Sequence, residues 1–316
     1  MTTLNPTTPR PARPLEAVLP PLIDRPAVRH RRQSSDFVEL TKLRLNVMVL
    51  ITTAIGFALS GAAPGLLDWR LFMHTLLGTA LCAAGASVLN QAWEWRLDRR
   101  MERTKNRPVA AGRMKPAEAA GLGLLMASAG TLQLALETTP LAALLAAATV
   151  ALYVLVYTPL KTRTTLNTLV GAIPGAIPPL IGYTAGGAPI DALGWSLFAI
   201  LFCWQMPHFL AIAVLLKDDY AAAGYRMLPI TDTRLVRTGA WMTVFTLLLI
   251  AASLAPAVLR PLGVGYVVVA TLLGVGFLGA CIDMIRQGTR PATRRAFFAS
   301  IIYLPLVLGA LLIASK

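Results

Sequence analysis

Acidic residues are scarce: the 316-residue chain carries 15 Asp and Glu against 29 Lys and Arg, and only 14% of it is charged. With 56% hydrophobic residues, that scarcity excludes a large soluble core and places the sequence among integral membrane proteins. Cysteine is nearly absent too. Cys82, Cys203 and Cys281 lie inside apolar runs with no pairwise metal spacing, which excludes a thiolate metal centre and leaves them as packing residues. Of the three histidines, His30 lies in the N-terminal tail, His74 near the end of an apolar run, and only His208 deep within one. The first 35 or so residues lack an apolar core of signal-peptide type; rich in Pro and Arg, they are expected to form a disordered cytoplasmic tail (1–35) ahead of a transmembrane domain (36–316). The prolines oppose the amphipathic helix that a mitochondrial targeting sequence needs.

What is present in quantity is apolar sequence. Runs long enough to cross about 30 Å of hydrocarbon fall near 44–62, 71–93, 117–136, 140–158, 167–186, 193–216, 239–259, 262–284 and 296–314, which predicts an all-α membrane protein of about nine transmembrane helices. Asp36 and Glu39 have the spacing of a capping box before the first. Basic residues fill the segments after the second, fourth, sixth and eighth runs, while the alternate loops hold little beyond Arg70 and Arg260. By the positive-inside rule the N-terminus and the even-numbered loops are cytoplasmic and the C-terminus is outside. The net charge of +14 is therefore mostly topological, with some attraction to anionic membrane lipid, and nucleic acid is not an expected partner.

Chemistry concentrates after the second run. Asn90, Glu94, Asp98 and Glu102 follow at successive steps of four. On a helix each such step turns about 40° and climbs about 6 Å, so the four side chains form one slanting stripe. Oxygen donors so placed suit a hard divalent cation, and Arg103, Lys105 and Arg107 just beyond suit an anion. That is what a magnesium–diphosphate site requires. The competing reading is a solvated helix end with i,i+4 ion pairs.

A second polar pole closes the sixth run. Trp204, Gln205, Pro207 and His208 sit inside it, Lys217-Asp218-Asp219-Tyr220 follows, and the next loop passes through Gly224, Arg226 and Met227-Leu228-Pro229. Both acidic clusters, Asp218 and Asp219 included, belong to the same membrane side, and two such clusters suit a pair of magnesium ions on one diphosphate. Lys161 and Arg163, on that side as well, either complete a diphosphate clamp or serve only as topology determinants. His208 reads equally as a hydrogen-bonded structural residue, as an axial ligand to haem iron or as a donor that orients a substrate. The Pro178-Pro179 pair is expected to bend its helix.

Together these segments resemble the UbiA-type intramembrane prenyltransferases. Asn90-x3-Glu94-x3-Asp98 followed by Arg103-Thr104-x2-Arg107-Pro108 is similar to that family's first signature. Within the family, the resemblance is to the branch that farnesylates protohaem IX. It rests on Asn90-Gln91, Trp204-Gln205-x-Pro207-His208-Phe209, Asp219-Tyr220-x3-Gly224-x2-Met227-Leu228-Pro229, Leu160-Lys161-x-Arg163 and Pro178-Pro179-x2-Gly182, and runs from about Leu40 to the last helix. Three positions depart from the wider pattern. Glu94 stands where many relatives have Asp, Ala223 stands where quinone-type relatives carry a second acid, and Leu43 replaces an expected proline.

The resemblance implies a UbiA-type bundle and transfer of the farnesyl group of farnesyl diphosphate to a vinyl group of protohaem IX, with addition of water, giving haem O. It implies Mg2+ held by Asn90, Glu94, Asp98 and Asp219, with Asp218 as a substitute. Lys161, Arg103, Arg107 and Arg163 would bind diphosphate, and Tyr157 or Trp93 would face the allylic cation. His208 would orient the haem. The implied location is a bacterial inner (plasma) membrane, with the mitochondrial inner membrane as second reading; haem A synthase or a terminal oxidase would be the partners. Two other functions fit less of the sequence. One is a sister prenyltransferase for an aromatic quinone precursor, and the other is a transporter, which would place charge near the membrane midplane.

Overall fold

The computed structural model describes residues 33–61 and 68–315; the proposed tail lies outside the described residues. A short helix, α1 (Gln33–Leu40), precedes α2 (Leu43–Leu59), α3 (Trp69–Asp98) and α4 (Pro116–Glu137). Then α5 (Pro140–Ala151) runs through a π-helical turn (Leu152–Tyr157) into α6 (Thr158–Leu160). A second broken helix follows, α7 (Asn167–Ala176) and α8 (Pro178–Ala185), and then α9 (Ala192–Leu215), α10 (Lys217–Ala222) and α11 (Leu228–Thr231). The last three are α12 (Val236–Leu259), α13 (Val264–Gln287) and α14 (Arg290–Ala314). Among the described residues eight helical segments are long and apolar enough to cross a membrane, and α2, at 17 residues, is a shorter apolar helix.

Local chemistry sets the helix limits. Asp68 caps α3, accepting from Leu71 N at 3.0 Å, and Asp191 caps α9 through Gly194 N at 2.9 Å. Gly288, at φ 60°, ends α13 in the left-handed conformation. The proline pair breaks α7 from α8: Pro178 opens α8, where its missing N–H costs nothing. Asp36 does not cap the first long helix. It lies inside α1, and its carboxylate accepts two bonds from Arg113, each 2.8 Å, which tie α1 to the loop 99–115.

Packing relies on close backbone approach, the usual means of helix association where lipid is as apolar as the side chains. At Gly85 a Cβ would lie 2.6 Å from Ala127 N on α4, and at Gly182 on α8 it would lie 1.8 Å from Thr53 O on α2. Large apolar residues such as Leu125, Val258, Leu272 and Ile313 remain exposed, as a lipid-facing surface requires. Gly182→Val should cost about 3 kcal/mol or more, because a carbonyl cannot move aside as a side chain can. Gly276→Val, with nothing within 4 Å, should be tolerated. The yield of monodisperse protein in detergent checks both.

Candidate active site

Hydrogen bonds join basic segments to one another and to the last turns of the long helices: Lys161 reaches Glu94 on α3, Arg226 N donates to Lys161 O, and Arg290 Nη2 donates to Leu215 O at the end of α9. Along the last turns of α3 Asn90, Glu94 and Asp98 are buried, at 1%, 3% and 1% exposure, and each is met by a cation from a different part of the chain. Lys42 Nζ donates to Asn90 Oδ1 at 3.0 Å. Lys161 Nζ lies 2.9 Å from Glu94 Oε1 and donates to Oε2 at 3.0 Å. Arg107 Nη1 donates to both Asp98 oxygens at 2.9 Å. Three polar groups and three cations thus form one buried cluster. Ion pairs this deep are costly to desolvate and mark a working site more often than a stabilising one.

Each cation is placed by its local backbone. Lys42 occupies the left-handed region (φ 49°, ψ 42°) in the hinge between α1 and α2. Gln91, fully buried, holds that hinge by donating to Glu39 O at 3.1 Å and Leu40 O at 2.7 Å. Arg107 comes from the loop after α3, which Thr104 Oγ1 pins by donating to Asp98 O at 2.9 Å. Lys161 follows the π-helical turn, an irregularity frequent at functional sites. That turn directs Tyr153 and Tyr157 toward Lys161, whose Nζ is 6.0 Å and 4.7 Å from their ring centroids, and Tyr225 adds a third face at 5.8 Å. Asn90 Nδ2 donates to Glu94 Oε2 at 2.8 Å and to Thr158 Oγ1 at 3.2 Å, so α3 and the turn form one wall.

Burial alone would depress the Lys161 ammonium, but the Glu94 carboxylate raises it well above its ordinary range. Burial pulls Lys42 below its ordinary range. Among the described residues none gives Glu94 Oε1 a directed hydrogen bond, although Lys161 Nζ lies 2.9 Å from it. A buried carboxylate oxygen without a directed donor, beside an amide and a second carboxylate, is a donor set that suits a hard divalent cation.

The other expected residues are arranged differently. Glu102 does not extend the stripe, because α3 ends at Asp98; it lies in the turn beyond, at the surface, and pairs with Lys105. Arg103 and Arg163 are exposed, with no acid partner among the described residues. Asp218 is exposed and Asp219 half-buried on α10; among the described residues no hydrogen bond or ion pair engages either carboxylate. Among the described residues no group of three or more His, Cys, Asp or Glu side chains converges to hold a metal. The second pole still adjoins the first, because Arg226 N donates to Lys161 O at 2.7 Å and Asn167 Nδ2 to Arg226 O at 2.8 Å. Trp93 is 55% exposed and lines an apolar groove of about 840 Å³ between α3, α4 and α5, so its ring does not belong to the cluster. His208 is half-buried between α9 and α14, where Trp204 and Phe297 stack on its ring.

Lys42, Gln91, Thr158, Tyr153 and Tyr225 were not legible as site residues. A lysine before an apolar run reads as a topology signal, and tyrosines in a run read as packing. Only the position of Gln91 next to Asn90 hinted at more.

A family model described as the UbiA prenyltransferase family matches residues 49–302. The chain belongs to the UbiA prenyltransferase family. A relative in Solibacter usitatus named protoheme IX farnesyltransferase is 40% identical over 285 residues, covering 88% of this chain and 98% of that one. One of the same name in Opitutus terrae is 41% identical, covering 88% and 94%. Among solved structures, a digeranylgeranylglyceryl phosphate synthase superposes with a TM-score of 0.75 at 17% identity, over 89% of this chain and 98% of that one. A UbiA homologue from Archaeoglobus fulgidus bound to GPP and Mg2+ superposes at 0.62 with 11% identity, over 87% and 99%. These likenesses show that the fold is the UbiA prenyltransferase bundle.

Proposed function

We propose that this UbiA prenyltransferase transfers the farnesyl group of farnesyl diphosphate to a vinyl group of protohaem IX, with addition of water, giving haem O. The names of its relatives support the two substrates. The observation that carries the reading is the buried cluster of Asn90, Glu94 and Asp98, each held by a cation. Asn90, Glu94 and Asp98 from α3 would hold Mg2+, with Asp219, and Asp218 beside it, from α10. Bound there, Mg2+ neutralises diphosphate charge and so favours departure of the leaving group.

The three cations then have a second use. Lys42, Lys161 and Arg107 are flexible side chains that release their acids and turn to the phosphate oxygens, where Arg103 and Arg163 add charge from the surface. As the bond from farnesyl C1 to the diphosphate oxygen breaks, Tyr153, Tyr157 and Tyr225 present ring faces that already hold an ammonium and suit an allylic cation. The vinyl group of haem, oriented by His208, attacks C1 through its terminal carbon. Water adds at the inner carbon and gives up a proton, which leaves the hydroxyethylfarnesyl substituent, and diphosphate departs to the basic end. That end faces the cytoplasm of a bacterium in this reading, consistent with its loop charges.

Reconstituted protein with farnesyl diphosphate, protohaem and Mg2+ should yield a haem heavier by one farnesyl group and one hydroxyl, and excess EDTA should reduce the rate at least about tenfold. Prenylation of an added 4-hydroxybenzoate in preference to haem would contradict the proposal.

A further inference from the structure

Ser300 on α14 touches no residue of the acid–base cluster, yet three polar contacts join it to the aromatic stack around His208. Its hydroxyl is 2.5 Å from Phe297 O and 2.7 Å from His208 Nδ1, and its carbonyl accepts from Trp204 Nε1 at 2.7 Å. A serine hydroxyl has one proton to give, and a carbonyl oxygen can only accept. The proton is therefore committed to Phe297 O, and Oγ meets His208 Nδ1 with a lone pair. In the neutral imidazole this arrangement puts the hydrogen on Nδ1 and leaves Nε2 unprotonated.

Nothing uses that lone pair: among the described residues no donor engages Nε2. The ring is also fixed in orientation. Trp204 stacks on it at 4.6 Å and 20°, and Phe297 at 5.2 Å and 27°. A neutral imidazole whose Nδ1–H is anchored and whose Nε2 is free has the arrangement of a metal-ligating histidine with its outer partner in place. A protein with such a group among aromatic faces, and with an iron porphyrin as its acceptor, has an axial ligand to offer. Depth agrees. His208 is seven residues from the end of α9 and Glu94 four from the end of α3, so they lie about 10 Å and 6 Å along their helices from the basic segments that follow each.

We infer that Ser300 is a positioning residue that fixes the Nδ1–H tautomer of His208, so that Nε2 takes an axial position on the iron of protohaem. This rests on the haem-acceptor reading above. The test is a titration of purified protein in nanodiscs with protohaem, followed by the Soret band and by the iron–histidine stretch of the ferrous complex. Wild-type protein should show histidine ligation, which His208→Ala removes and added imidazole restores. Ser300→Ala should weaken haem binding at least about tenfold and shift the iron–histidine stretch, with farnesyl diphosphate binding unchanged; Ser300→Thr, which keeps the hydroxyl, should restore both. A wild-type stretch and affinity in Ser300→Ala would overturn the inference and leave the haem reading standing. Failure of folded wild-type protein to bind haem at all would overturn both.

Discussion

Asp98→Asn should lower farnesyl transfer by at least about 10³-fold, the scale expected when a preorganised charge is removed from a transition-state site, while the protein stays folded in the membrane. Asp98 is 1% exposed and its two oxygens both accept from Arg107. Asparagine has nearly the same shape and keeps one acceptor for Arg107, whose side chain is 14% exposed and so retains access to water. What it loses is the negative charge that would hold the metal and the register of the α3 stripe. Glu102→Gln is the matched control. It removes a carboxylate four residues on, beyond the end of α3, where the partner is a surface Lys105, and should change activity and stability by no more than about 0.5 kcal/mol. The two variants together separate a buried site from a run of surface ion pairs. Initial rates under saturating substrate, normalised to folded protein, are the measurement.

Lys161→Met should destabilise the protein more than any loss of packing explains. Glu94 is 3% exposed and the Lys161 side chain 10%, so the substitution strands a carboxylate in a medium that cannot solvate it. Breaking such a pair from one side costs about 3–5 kcal/mol, whereas replacing both partners with neutral groups is often nearly neutral. Glu94→Gln combined with Lys161→Met should therefore recover wild-type thermal stability to within about 1 kcal/mol and remain inactive. Stability that falls further in the double variant than in Lys161→Met would show that the pair serves the fold rather than the site. Recovery of stability without activity is the signature of a site whose charges are kept for function.

Much of this was legible in the chain. Eight of the nine apolar runs coincide with helical segments long and apolar enough to cross a membrane, and the first falls on α2, which at 17 residues is shorter than those; a hydrocarbon layer of about 30 Å leaves a long apolar period in sequence. The α3 stripe was legible too, since four-residue steps on a helix fix relative direction whatever surrounds it. Spacing along one helix cannot say which cation meets which acid. Lys42 reaches Asn90 from 48 residues away through a left-handed hinge, and no local pattern announces that. The π-helical turn escaped for a related reason: Leu152–Tyr157 continues the apolar run of α5, and the shift that aims Tyr153 and Tyr157 at Lys161 lies in the hydrogen bonding alone. Trp93 shows the converse error. One residue from Glu94 is about 100° around the helix, enough to place it on the outer groove instead of in the cluster.

Extraction of haems from membranes of cells expressing the chain tests most directly whether the buried α3 stripe drives farnesyl transfer to haem. Mass spectrometry of those pigments should find a farnesylated, hydrated haem with the intact protein and none with Asp98→Asn, at equal levels of folded protein. Protohaem alone from the intact protein, in cells supplied with farnesyl diphosphate, or the same product from both chains, would contradict it.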